Sequence, residues 1–415
     1  MEKVYNLDVD GLTVNFPKIR ILGWCEMVRK TKRNIYLIYT YIFLSTFILF
    51  YSCDTLFYLE RGVSSSGYVF FITIIFLMHI LLEVPSGIIA DKYSRKNILL
   101  LSNFLFVLST IIFILSKNYY LFVLGTVIKG LENSIVTGVA NSILFDEVEN
   151  KKDFSKILFR KNFFYNLSYM LAMILGGYIG QKYGLVVTYY LTLIPFFINF
   201  FIIFLIEDKP KNSLNNTYLK KEILNNAIYE IKNNKLITNL IFTNSIVFSV
   251  IRLVEESHPE YSFNIGISVW QIGIYTSMIL IVCICGSYIG SKLDTKYYKF
   301  VLYGNSFMVG LCILLIGLLN NKYGILFLLT IYIFCESFEN IMLSTIHNNI
   351  SSKSRITVES IFSMALSLLG IFLSVIMSVL LNFMQVFQLY VLLGLLLIVY
   401  SIINIAFNYK NMKSS

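Results

Sequence analysis

Asp54, Glu83, Lys129, Glu132, Arg252, Glu336 and Glu339 are ionisable residues set inside long apolar stretches. A charge at the centre of a bilayer-length helix costs roughly 2.5–3.5 kcal/mol unless it is paired or wetted, so such residues are read as working parts. The chemistry open to them is the exchange of protons and cations. Glu336 and Glu339 stand three residues apart, on one face of a helix, where two carboxylates can share a proton and give it up when a cation arrives. Asp54, Glu83 and Glu132 are single carboxylates able to serve the same purpose. Lys129 and Glu132 have the same spacing, and a structural ion pair is the alternative reading for them. Five acids against two bases leave an excess of negative charge. Glu255 and Glu256 fall too near the end of their stretch to assign, and His79, alone on an apolar face, reads more simply as a packed residue than as a titrating one. No HExxH, Asp-rich metal cluster or Ser-His pair occurs in the apolar stretches, which argues against an enzyme and calls for no cofactor or metal.

The elements that must hold these residues are membrane helices. The chain has 415 residues, 57% of them hydrophobic and 14% charged, with a mean hydropathy of +0.71. That is more apolar surface than one soluble core can bury. Apolar runs of about 20 residues, enough for a hydrocarbon core of roughly 30 Å, recur twelve times. They are 35–59, 68–90, 97–116, 119–142, 162–181, 184–206, 236–256, 268–291, 298–319, 323–344, 357–381 and 386–407. Of 34 Lys and Arg, 28 fall on one side of this arrangement, and only Arg61, Lys117, Lys182 and Lys322 face the other. Positive charge resists translocation, so both termini are expected in the cytoplasm. The net charge of +10 arises mostly from this asymmetry, and nucleic-acid binding is not indicated.

Residues 1–34 form a polar N-terminal segment without the pattern of a cleavable signal. Either translation starting near Met27 or a disordered tail accounts for 1–26. The six cysteines are scattered without metal-ligand spacing, and Cys283 and Cys285 project to different helix faces, so all are expected to pack as apolar residues. Residues 207–235 read as a cytoplasmic linker, with Leu219, Ile223, Ile228 and Ile231 forming a weak apolar stripe. The linker divides the chain into halves at 35–206 and 236–407, followed by a tail at 408–415. The halves carry traces of a repeat: Gly87-Ile-Ile-Ala-Asp91 ends the second span and Gly290-Ser-Lys-Leu-Asp294 the eighth, while Glu132-Asn133 and Glu339-Asn340 occupy the fourth and tenth.

This arrangement resembles the major facilitator superfamily. The family's loop signature between spans two and three is Gly-x-x-x-Asp-Arg/Lys-x-Gly-Arg-Arg/Lys, matched here by Gly87, Asp91, Lys92, Arg95 and Lys96, with Ser94 in place of the second glycine. The preceding Glu83-x-Pro85-Ser86-Gly87 is similar to a Glu-x-Pro-Ser/Thr-Gly subgroup of Gram-positive bacteria that includes drug-efflux proteins. Thr137-Gly138 and Leu144-Phe145-Asp146 resemble a second stretch of that subgroup. Gly176-Gly177 invites comparison with the antiporter signature Gly-Pro-x-x-Gly-Gly, but Ala172 and Met173 occupy the Gly-Pro places.

The resemblance implies an all-α membrane protein with 12 transmembrane helices in two six-helix halves around a central cavity. It implies that spans 1, 4, 7 and 10 line that cavity, and all the embedded charges except Glu83 lie on those spans. Gly87 would let span 2 approach a neighbour closely. Asp91 would sit near a helix N-terminus of the other half, favourable by roughly 0.3–1 kcal/mol. With Arg95, Lys96 and the repeat's Asp294 it would form a gating latch, the cations facing Asp146 or Glu149. The expected function is a secondary active transporter in the cell membrane, exporting drugs or toxic metabolites by alternating access coupled to protons. Proton-coupled uptake of a small solute is the alternative, and a transport-inactive receptor or scaffold the third reading. The expected partners are a cationic, amphipathic small molecule, protons and the lipid bilayer, with the protein a monomer.

Overall fold

The computed structural model describes residues 33–136, 139–147, 151–207, 226, 228–293, 298–351 and 355–412. Every apolar run after the first becomes a helix, because in lipid a segment's backbone polar groups are satisfied within the segment. The second to sixth spans are α3 (Ser65–Lys92), α4 (Arg95–Leu115), the pair α5 (Tyr119–Val136) and α6 (Val139–Asp146), α7 (Lys151–Tyr183) and α8 (Leu185–Leu205). A short helix α9 over 228–233 leads into α10 (Lys235–Asn264), α11 (Val269–Lys292), α12 (Tyr298–Leu319), α13 (Gly324–Asn349), α14 (Arg355–Leu380) and α15 (Val386–Met412). Ten of the described helices are long and apolar enough to cross a membrane, and the apolar part of α12, Gly304–Leu319, is a shorter eleventh.

The remaining span, the first, is broken. A helix over 33–46, α1, stops before Phe47 and Ile48; a 3-10 turn, Leu49–Ser52, and a short helix, α2 (Asp54–Glu60), complete the crossing. Neighbours bond the backbone around the break. Asn199 of α8 donates to the Tyr41 carbonyl at 3.2 Å, Ser168 of α7 donates to the Phe43 carbonyl, and the Leu49 amide donates to Thr192 of α8 at 3.1 Å. The Leu49 carbonyl lies so close to Gly176 that a Cβ there would stand 1.8 Å from its oxygen. Gly176 is therefore the position where α7 yields space to the irregular turn.

Local chemistry sets the helix starts. Ser94, where the family signature has glycine, has φ −64° and its side chain accepts from the Asn97 amide, so it caps α4 and no left-handed residue is needed at that turn. Asn234 caps α10, and Ser268 with Gln271 forms a reciprocal capping box on α11. Ile231 of α9 packs with Ile237, Leu240 and Met342, tying the end of the linker to the second half.

The two sets of six helices meet along two antiparallel seams. On one, α3 runs against α14: Thr73 donates to Ser374 at 2.8 Å, Ser378 donates to the Ser66 carbonyl at 2.9 Å, and Gly370 receives the ring of Phe76. On the other, α7 runs against α11, with Gly177 and Gly273 facing each other so closely that neither has room for a Cβ. Gln181 accepts from the Trp270 amide near the end of that seam. Within the second half, Gly286 and Gly290 of α11 press against Ile333 and Ser337 of α13. At the start of the bundle Arg33 pairs with Glu207, and Asn34 donates to Glu147 at 2.8 Å. The start of α1 thus lies beside the end of α8, and this is called the terminal face; the opposite one is the far face.

Candidate functional site

Between the halves lies a cavity of about 1010 Å³ lined by residues of both. Its walls reach from Ile42, Ala140 and Lys161 toward the terminal face to Tyr58, Tyr68 and His258 toward the far face. Three acids and two bases among the seven sequence candidates are on its walls: Asp54, Glu132, Glu336, Lys129 and Arg252. Glu339, one turn along α13 from Glu336, is half-buried and is not among the lining residues. Glu83, Gly87 and Asp91 lie on the last turns of α3, where their side chains are outside the described residues, as are Thr137, Gly138, Glu149 and Asp294 and the side chain of Asp146.

Lys129 finds its counter-charge across helices. Its Nζ is 3.3 Å from Asp54 Oδ2, with the two side chains only 12% and 11% exposed. Tyr189 of α8 donates to the other carboxylate oxygen of Asp54. The ammonium also stands 5.6 Å from the ring centre of Phe50 and 5.3 Å from that of Tyr51, within reach of both ring faces. Asp54 can be there because the break places it at the start of α2 rather than along a continuous helix. Glu132, buried one turn along α5, instead accepts from Ser102 of α4 at 2.7 Å. Glu336 likewise accepts from a serine, Ser287 of α11, at 3.1 Å. The site therefore holds one buried ion pair and two carboxylates that accept from neutral side chains.

On α10 the guanidinium of Arg252 forks between Glu255 and Glu256 of its own helix, at 3.0 Å to each. Sequence reasoning left those two glutamates unassigned because the span appeared to end at 256. In fact α10 runs on to Asn264 with Pro259 inside it, so Glu255 and Glu256 face the cavity. His258 and Glu260, also on this extension, are buried; His258 hydrogen-bonds the Tyr275 hydroxyl at 2.8 Å. The seventh apolar run ends at 256, and the helix carries the polar residues that follow it one to two turns further. His79 lines the cavity.

Of the signature cations, Arg95 opens α4, and Lys96 donates to the Phe204 carbonyl at the end of α8 at 2.6 Å, with its ammonium 5.9 Å from the Phe204 ring centre. A cation suits the carbonyl end of a helix. Cys53, Cys283, Cys285, Cys312 and Cys335 are free thiols, and no cluster of metal-ligating side chains occurs among the described residues.

A helical membrane bundle with a polar cavity between two six-helix halves is the architecture of a solute transporter. The chain belongs to the Major Facilitator Superfamily, whose sequence profile matches residues 35–374, and it is a transporter of that type. A curated relative from Buchnera aphidicola subsp. Schizaphis graminum (strain Sg), described as an uncharacterized transporter, is 22% identical over 163 residues; the match spans 39% of this chain and 39% of that protein. Among solved structures, the nucleoside transporter NupG superposes with a TM-score of 0.70 at 14% identity, covering 93% of this chain and 99% of that one. A POT family transporter in complex with a thioalcohol-conjugated peptide gives 0.71 at 12% identity, covering 91% and 96%. A bacterial homologue of the human lysosomal transporter Spinster, inward-facing and unoccupied, gives 0.65 at 16% identity, covering 83% and 80%. At these identities the likeness is one of fold.

Proposed function

We propose that the protein is a proton-coupled secondary transporter of the cell membrane that exports cationic, amphipathic compounds by alternating access, as a monomer with both termini in the cytoplasm. The observation that carries this reading is the pair of cavity carboxylates, Glu132 and Glu336, each of which accepts from a serine hydroxyl and has no ion pair within 4 Å among the described residues. A carboxylate with a neutral partner in a low-dielectric cavity can be occupied either by a proton or by a cationic substrate. Competition between the two at one site is sufficient for exchange. Asp54, by contrast, already has Lys129, and Arg252 already has Glu255 and Glu256, so those groups act as fixed scaffolding of the cavity. Aromatic side chains on the walls, among them Tyr51, Tyr165, Tyr169 and Tyr332, suit the apolar part of such a compound. Membership in the Glu-x-Pro-Ser/Thr-Gly subgroup, the latch at Gly87, Asp91, Arg95, Lys96 and Asp294, and the domain boundaries at 206 and 236 are parts of the same proposal.

The test is transport in proteoliposomes with an imposed pH gradient, after resistance profiling of an efflux-deficient host selects a cationic substrate. Substrate should move against the proton gradient, and binding should release protons from the purified protein. Movement of substrate together with protons would favour the uptake reading. Resistance unchanged across the panel, with no proton release, would remove the export reading.

A further inference from the structure

On the far face a set of polar bonds joins α2 and α3 to α10 of the other half. Tyr68 of α3 donates to Glu256 Oε2 of α10 at 2.9 Å, and Ser65, one turn earlier on α3, donates to Glu260 Oε1, one turn later on α10, at 2.5 Å. Two hydroxyls three residues apart on one helix therefore meet two carboxylates four residues apart on an antiparallel helix of the other half. Thr55, the residue after Asp54, adds a third bond by donating to the Glu256 carbonyl at 2.7 Å. Pro259 has no N–H to give to the Glu255 carbonyl four residues back, so the helical bond next to Glu256 is missing. Glu256 is thus bonded to both halves: Oε1 holds Arg252 of its own helix at 3.0 Å and Oε2 holds Tyr68 of the other half.

We infer that Glu256 and Glu260 are the far-face gate of this transporter, their carboxylates clasping the hydroxyls of Tyr68 and Ser65 to hold the halves together on that side; the inference rests on the alternating-access reading. A hydrogen bond to a charged group is stronger than one between neutral groups. In water the same carboxylates and hydroxyls are fully solvated, so the latch loses little once the gate has parted. Thr55 ties it to the cavity, since the residue before it holds Lys129.

The experiment measures the gate directly. Spin labels on ketone-bearing unnatural residues at exposed positions 117 and 322, in far-face loops of the two halves, leave the native cysteines in place. Distances are recorded in lipid nanodiscs for the full-length protein. Wild type should give one short distance. Tyr68→Phe and Ser65→Ala keep the shapes of the side chains and remove only the donors, and each should shift the closed-to-open ratio about tenfold toward a longer distance, the double variant further. Tyr390→Phe, which breaks a bond to Ser257 inside the second half, should leave the distance alone. Unchanged distances in the double variant, or in both single variants where the double does not fold, would overturn the gate. A longer distance in a protein that transports none of the panel compounds would uphold the gate and remove the export reading, and the converse result would separate them the other way.

Discussion

Replacing Asp54 with Asn keeps the shape of the side chain and a group for Tyr189 to donate to, but leaves the Lys129 ammonium without a counter-charge in a site where it is only 12% exposed. Removing one partner of a buried pair destabilises by roughly 3–5 kcal/mol. Here the rings of Phe50 and Tyr51 still attract the ammonium and offset about 0.5–2 kcal/mol of that. The expected loss is therefore about 2–4 kcal/mol for Asp54→Asn, and similar for Lys129→Met, which strands the carboxylate with the Tyr189 donor alone. Removing both charges together replaces an ion pair by a neutral one, and the double variant should return to within about 1 kcal/mol of wild type. Unfolding free energies in mixed micelles for the four proteins form a double-mutant cycle, and a coupling energy of at least about 3 kcal/mol is expected. A coupling energy near zero would refute the pairing of Lys129 with Asp54, and one that appeared instead between Lys129 and Glu132 would return the pair to a single helix.

Gly176→Ala should abolish accumulation of folded protein in the membrane, because the added carbon meets the Leu49 backbone rather than a flexible side chain; size-exclusion profiles of the solubilised protein check this. Glu336→Gln should uncouple substrate movement from the pH gradient, whereas Glu339→Gln, off the cavity wall, should keep most of the coupling; pH-driven vesicle transport distinguishes them. Arg252→Lys should weaken substrate binding less than Arg252→Met, since a point charge can still serve one of Glu255 and Glu256 but loses the fork to both; binding titrations at matched expression read the difference.

Much of this architecture could be read from the residues. Twelve apolar runs became the crossings because run length alone decides whether backbone can be buried in lipid. Lys129, Arg252, Asp54, Glu132 and Glu336 were visible because a charge in an apolar run is conspicuous. The pairing among them was not, since Asp54 and Lys129 are brought together by a break in the first span that no proline announces; the turn is stabilised by Gly176, Thr192, Ser168 and Asn199, residues more than a hundred positions away. The gate was hidden for a different reason. Glu256, Pro259 and Glu260 resemble the polar end of a span, and their inward placement depends on Tyr68 and Ser65 approaching from the other half. Ser94 shows the reverse case, a departure from the family signature that the capping geometry makes harmless.

The break in the first span also imposes an order on biogenesis. While residues 35–59 are alone in the bilayer, leaving the Phe43 carbonyl and the Leu49 amide open costs several kcal/mol each, so the segment must enter as an unbroken helix. The partners that stabilise the bent form, the donors Ser168 and Asn199 and the acceptor Thr192, are synthesised and inserted only with the fifth and sixth spans. The bend is therefore a late event, acquired when the sixth span arrives, and a nascent chain truncated after the fourth span would carry a straight first helix with Asp54 out of reach of Lys129.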